Sequence, residues 1–319
     1  MKEFGYVVDN GGVREAPPDQ AVLSCGVAKF VWLHLDANAD KVVHWLRGEA
    51  DLPPVVVNAL VATETRPRCD ALGPGALINL RGLALDPDSL DDELASIRIW
   101  AEKGRVISTA RYELAALPPL ISSISHLEIF DPGDLIAELA SAITESLDPG
   151  VADLGDMLDD AEVKIDAAEH LYTLRREIAQ ARSKAIGYRR FVVPQRLALE
   201  RLSGLPCDWL EERDRMRLTE AADRFARMGE ELESVRERAA LMHEQLTDLR
   251  SEVIETRALL ISVVALVFLP LTFLTGLLGM NVAGIPFSHE PWAFWGVVGV
   301  CTALAAAIGG YFVKVHWFR

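Results

Sequence analysis

Two uncharged apolar runs, close together at the end of the chain, limit what this sequence can fold into more than any other feature. Ala258–Leu278 reads ALLISVVALVFLPLTFLTGLL, and Pro291–Val313 reads PWAFWGVVGVCTALAAAIGGYFV; neither holds an Asp, Glu, His, Lys or Arg. Each is long enough to cross about 30 Å of hydrocarbon as a helix. A buried core helix is the competing reading for one such run, and two in succession argue against it. Pro270 removes one helix hydrogen bond inside the first run and is expected to bend it slightly.

The flanks set an orientation. The loop from Asn281 to Glu290 has no Lys or Arg, whereas Arg250 and Arg257 precede the first run and Lys314, His316 and Arg319 follow the second. The positive-inside rule puts both flanks in the cytosol and the loop outside. Trp292, Trp295, Tyr311 and Trp317 lie near the ends of the second run, as interfacial aromatics do. The start, MKEFGYVVDNGG, has no apolar signal segment. The expectation is a multi-pass protein of the cell inner membrane with both termini cytoplasmic.

Charge narrows the partners. A net charge of −15 over 319 residues repels nucleic acid and anionic lipid surfaces and suits a protein that gathers cations. Solubility is the plainer explanation of the same charge. Cys25, Cys69, Cys207 and Cys301 are scattered with no CxxC, which argues against a disulfide framework or a zinc finger.

Residues 1–130 mix strand-like and helix-like segments. Lys29–Asp36 alternates and is rich in β-formers, and Ala76–Leu80, Ala95–Trp100 and Arg105–Thr109 look similar. The last two read as a hairpin joined by Ala101–Gly104, and 38–48 and 52–62 read as short helices, giving an α/β domain. From Asp131 onward the pattern is helical, with breaks expected at Asp148-Pro149-Gly150 and Ser203-Gly204-Leu205-Pro206. That predicts two antiparallel arms over 151–180 and 181–203, then a long helix from about Asp208. Along that helix Leu218, Ala221, Phe225, Met228, Leu232, Val235, Ala239, Met242, Leu246, Leu249 and Val253 step alternately by three and four, a heptad seam. Unbroken to Asn281, it would run roughly 110 Å.

The run Phe268–Asn281, FLPLTFLTGLLGMN, resembles the pore helix of the CorA-type metal-ion transporter superfamily. Val282-Ala-Gly-Ile-Pro286 and the stalk segments Asp214–Arg224 and Arg236-Glu-Arg238 resemble its zinc-transporter (ZntB) branch. Magnesium members typically have an aromatic residue after the Gly-Met-Asn tripeptide and a Tyr before it; Val282 and Leu278 stand there. The likeness is close over about 205–319 and only architectural before that. It implies an α+β membrane protein that forms a homopentamer. Residues 1–130 would be a cytosolic α/β head, and 131–257 helical arms and a stalk helix forming a funnel. Residues 258–281 would be the first transmembrane, pore-lining helix, 282–290 an external loop, 291–313 the second transmembrane helix and 314–319 a cytosolic tail. Assembly also follows from the sequence, because two apolar helices cannot enclose an ion path alone.

Gly279, Met280 and Asn281 form the candidate selectivity motif. A ring of Asn281 carbonyl oxygens can hold a hydrated divalent cation through its water shell without stripping it; a plain helix cap is the competing reading. Helical spacing back from Asn281 gives Gly276, Thr272, Leu269, Ala265, Ile261 and Ala258, the pore face by analogy, with Leu269 and Ile261 as hydrophobic constrictions. The same face meets Glu255, Glu252, Asp248, Glu244, Glu237 and Glu230, an acidic funnel lining or else an ordinary solvated face. Asp153, Asp156, Asp159, Asp160 and Glu162 form a second acidic patch, either regulatory or solubilising. In the loop, His289 and Glu290 are candidates to collect zinc or carry protons, against a reading as solvated loop residues.

The branch is associated with proton coupling, yet no ionisable residue lies inside either run, so Glu255, His289 or the Asn281 ring is left to supply it. The expected function is zinc uptake coupled to protons, with no tightly bound cofactor; Zn2+ and protons are the cargo, and the lipid bilayer and further copies of the chain are the partners. A magnesium or cobalt channel of the same fold is the nearest alternative. A membrane-anchored coiled-coil scaffold or sensor is the alternative of another class. An enzyme is not expected, because the chain shows no GxGxxG or Walker pattern and no convincing nucleophile or carboxylate pair.

Overall fold

The structure, a computed structural model, describes residues 3–10, 12–39, 41–63, 66–87, 93–126, 129–166, 171–280, 284–285, 287 and 290–317. The chain divides into two compact units, 1–243 and 244–319.

The first unit begins with strands β1 (Phe4–Asp9) and β2 (Gly12–Ala16), a short helix α1 (Pro18–Ala21) with a 3-10 turn, and β3 (Phe30–Asp36). Helices α2 (Val42–Gly48) and α3 (Pro54–Val61) lead to β4 (Arg68–Leu72), β5 (Gly75–Leu83), β6 (Leu94–Glu102), β7 (Arg105–Ala110) and helix α4 (Leu117–Ser125). The strands form one seven-stranded sheet in the order β2-β1-β3-β7-β6-β5-β4. Among the described residues only β3 and β7 pair in parallel, with Val31 opposite Arg105 and Asp36 opposite Ala110; the other neighbours are antiparallel. The head is therefore a mixed, mainly antiparallel sheet.

The four strands read from the pattern are present, and so are the two helices, with α2 starting later than expected. The structure adds β1, β2, β4, α1 and α4. In the β6–β7 hairpin Glu102 lies opposite Arg105, so Lys103-Gly104 is a two-residue turn. Gly104 has φ +74, a left-handed conformation that only glycine adopts at no cost.

β3 does not behave as a half-exposed alternating strand, because both faces of the sheet are covered. On one face Val31, Leu33 and Leu35 join Val42 and Leu46 of α2 and Val56, Val57 and Leu60 of α3 in a core. On the other, Trp32 and His34 meet the rings of Phe4 and Tyr6. His34 is fully buried and its Nδ1 pairs with Ser108 Oγ at 2.7 Å. Burial pushes its pKa down to about 4, only partly opposed by the charge of Asp36.

Three long helices follow: α5 (Pro132–Asp166), α6 (Leu171–Ser203) and α7 (Glu212–Leu278). The break expected at 148–150 does not occur, and Pro149 sits inside α5. Its missing N–H leaves the Glu145 carbonyl without its helical donor, at a cost of about 3 kcal/mol. The buried stripe Ile143, Leu147, Val151, Leu154, Leu158, Ala161 and Ile165 runs through that point. Burying several such side chains, at about 1.5–3 kcal/mol each, outweighs one lost hydrogen bond. The first arm therefore begins at 132, not 151; α5 is described to Asp166 and α6 from Leu171.

In this unit the seam of α7 is buried as the heptad spacing requires, from Leu218 (0 % exposed) through Phe225 and Leu232 to Met242. Beside it runs a ladder of ion pairs with α5: Arg213–Asp134, Arg217–Glu138, Arg224–Glu145 and Arg238–Asp159. Each pair is separated by the same sequence distance, so α5 and α7 lie parallel and in register along the ladder.

The second unit holds the rest of α7 and helix α8 (Ala293–Trp317). Both contain stretches long and apolar enough to cross a membrane, and neither stretch is buried.

Candidate functional site

Within the second unit, the covered side of α7 is the half-buried stripe Val263, Val267, Leu271, Leu274 and Leu278. The covered side of α8 is Ala293, Val297, Cys301, Ala305 and Ile308. The residues read as the pore face, Ala258, Ile261, Ala265, Leu269, Thr272 and Gly276, are all exposed. At 3.6 residues per turn they lie roughly half a turn away from the covered stripe. Ile261 and Leu269 are 67 % and 74 % exposed, too apolar to face water on an isolated chain.

Thr272 donates its hydroxyl proton to the Phe268 carbonyl at 2.8 Å, which keeps the oxygen's lone pairs as its outward polarity. Among the described residues, nothing outside its own helix backbone lies within 4 Å of where a Cβ on Gly276 would sit. α7 ends at Leu278, and Gly279 donates its N–H to the Thr275 carbonyl at 2.9 Å. Met280 is 47 % exposed. Asn281 and His289 lie outside the described residues. Glu290 is exposed and its carbonyl accepts the Ala293 N–H at 3.1 Å, placing an acid at the positive N-terminal end of α8.

The acids divide between the two units. Glu244, Asp248, Glu252 and Glu255 are exposed on α7 in the second unit. Glu230 and Glu237, in the first, border a groove of about 500 Å³ whose other walls include Arg189, Arg196 and Glu233. Arg189 Nε lies 2.9 Å from Glu233. This part of the stripe, read as an acidic funnel lining or else an ordinary solvated face, therefore lies beside arginines and is of mixed charge. The patch at 153–162 is also partly neutralised, since Arg238 Nη2 donates to Glu162 at 3.0 Å and to Asp159. Its Asp153, Asp156 and Asp160 remain exposed.

The fold also assembles a group that no sequence spacing announces. Carboxylate oxygens of Asp131, Asp134 and Asp214 all lie within 4.8 Å of one another, where α5 and α7 begin. Asp131 accepts the Asp134 N–H at 2.9 Å, and Asp134 accepts the Phe130 N–H at 3.2 Å. Asp214 accepts the Glu211 N–H at 3.0 Å, so acids near each helix start cap it. Burial, and then the charges of Asp131 and Asp134, raise the Asp214 pKa to about 6. Burial likewise raises that of Asp131. In the sequence Asp131 marks only the start of the helical region and Asp214 only the first residue of a stalk segment; their meeting depends on the parallel register of α5 and α7.

Residues 27–314 match the family model described as CorA-like Mg2+ transporter protein. The zinc transport protein ZntB of Pectobacterium atrosepticum is 33 % identical over 306 residues, 96 % of this chain and 91 % of that protein. The divalent cation transporter CmaX of Pseudomonas aeruginosa is 30 % identical over 318 residues, 98 % of this chain and 96 % of that protein. The solved structure of full-length CmaX superposes with a TM-score of 0.80 at 30 % identity, covering 99 % of both chains.

Proposed function

The chain belongs to the family of CorA-like Mg2+ transporter proteins and transports divalent metal cations, and we propose that its cargo is zinc, taken up with protons through an axial pore made by five copies. One observation carries the pore reading. The face of α7 that bears Ala258, Ile261, Ala265, Leu269, Thr272 and Gly276 is turned away from the stripe the chain covers itself, and is left for other copies. The pore helix would then be the inner one, with α8 outside it in lipid.

In this reading the protein lies in the cell inner membrane with both termini cytoplasmic. The Asn281 oxygens meet the hydrated ion outside and Thr272 offers the one hydroxyl below. Leu269 and Ile261 narrow the path enough to gate it by dewetting. Glu255, Glu252, Asp248 and Glu244 raise the local cation concentration at the cytoplasmic end. No carboxylate or imidazole lies between Ala258 and Leu278, so proton coupling falls to groups beyond the span, with Glu255 and His289 the candidates. Leu278 and Val282, where magnesium members carry aromatic residues, favour zinc, as does the likeness to a zinc transport protein.

Purified protein in liposomes containing a zinc-sensitive dye tests this. Zinc uptake should be driven by an inward proton gradient, and Asn281→Ala should cut or unselect it. Uptake indifferent to the gradient removes the coupling, and unchanged flux in Asn281→Ala removes the ring. Magnesium flux without zinc flux favours the magnesium channel. No divalent flux from intact oligomers favours a scaffold.

A further inference from the structure

We propose that Asp131, Asp134 and Asp214 bind a hard divalent cation through their carboxylate oxygens, clipping the first turn of α7 to the first turn of α5. This site belongs to the first unit and shares no residue with the ion path proposed above.

Three observations support it. The carboxylate oxygens lie within 4.8 Å of one another, a spread that suits ligands placed about 2.3–2.6 Å from a shared cation. Asp214 is 1 % exposed, yet its Oδ1 has no hydrogen-bond partner among the described residues. A buried carboxylate oxygen without a partner is rare in native proteins and points to an ion or water that completes it. Gly133 makes the approach possible, since a Cβ there would collide with the Asp214 carboxylate.

Helix capping explains one oxygen of each acid but not the convergence. The Glu211 N–H occupies Asp214 Oδ2, leaving Oδ1 over. Three acids also exceed what two helix starts need, and packing them together carries a repulsion that a cation relieves. The nearby bases are Arg213, paired with Asp134, and Arg217 at 4.0 Å from it. The Arg213 side chain is 60 % exposed, so its guanidinium is a counter-ion on the solvent side of the group, where a bound cation would replace it. The group contains no imidazole or thiolate, which directs it to oxygen-seeking cations such as Mn2+, Ca2+ or Mg2+ more than to zinc.

The full-length protein in detergent, freed of metal by chelation, can be titrated with Mn2+ and followed by thermal unfolding and by electron paramagnetic resonance of the bound ion. Wild type should melt about 3 °C or more higher with saturating Mn2+. Asp131→Asn keeps a good helix cap, because Asn caps as well as Asp, but should lose most of that shift and one bound Mn2+ per chain. Asp214→Asn should melt higher than wild type without metal and no longer respond. Arg213→Ala removes the competing cation and should reach half-saturation at about tenfold lower Mn2+. Asp159→Asn, at another rung of the ladder, should respond as wild type. A wild type that binds no Mn2+ here, or Asp131→Asn and Asp214→Asn proteins with the full shift and full Mn2+ count, overturns the proposal. So does an Arg213→Ala protein that needs more Mn2+.

Discussion

The two parts of α7 carry the same kind of residue to different ends. In the first unit the helix buries Leu218, Phe225, Leu232 and Met242 against its own chain and pairs its arginines with α5. In the second unit Leu246 is still buried, Leu249 is half-buried, Val253 is 43 % exposed, and Ile261, Leu269 and Phe273 are exposed. One part is closed by intramolecular packing. The other has an apolar surface that this chain leaves uncovered. A continuous helix thus passes from a self-sufficient fold to an unfinished one with no break in its backbone pattern.

That contrast can be broken most directly with two phenylalanines. Phe225→Ala should destabilise the first unit by about 3–5 kcal/mol, because its ring is 1 % exposed and leaves a cavity. Phe273→Ala, at a site 71 % exposed, should change the unfolding free energy of the detergent-solubilised protein by less than about 1 kcal/mol. Urea unfolding followed by helical circular dichroism checks both, and equal losses would abolish the distinction.

The closed unit should also be the acid-sensitive one. His34 has its pKa lowered from 6.5 to about 4 by burial, so between those values the unfolded chain binds the proton and the folded protein does not. Its contribution is therefore complete above pH 6.5 and is lost as pH falls toward 4, by up to about 3 kcal/mol. A urea midpoint measured from pH 4.5 to 7.5 should fall with acid in wild type and less steeply in His34→Gln. The smallest effect should come from the far end of the seam. Val253→Ala should cost less than about 0.5 kcal/mol, since little of this chain packs on it, and a larger loss would show that the covered seam extends further.

Local pattern made much of this legible. β3, β5, β6 and β7 follow from β-rich apolar stretches, and the seam of α7 from its three-four spacing. β1 and β2 carry a hairpin signal in Asp9-Asn10 followed by Gly11-Gly12, a turn sequence between β-forming residues. The break placed at Pro149 misjudged a contest between one lost hydrogen bond and a buried stripe, whose weight is visible only when the partners of Leu147 and Val151 are in place. The acidic stripe shows the same limit. Spacing put Glu230 and Glu237 on one face, but Arg189 and Arg196 come to that face from α6.

By itself the sequence determined what depends on neighbours along the chain: two helices fit for a bilayer, a seam, a face bearing Thr272 and Gly276, and an acidic excess. Helical period and hydrophobicity are local properties, and they survive without knowledge of the fold. Only the tertiary structure decided which side of α7 its own chain covers, that α5 runs unbroken through Pro149, and that α5 and α7 lie parallel in a fixed register. That register brings Asp214 to Asp131 and Asp134 across some eighty residues of chain. Pairings over such distances are set by how helices pack, and no spacing within the sequence records them.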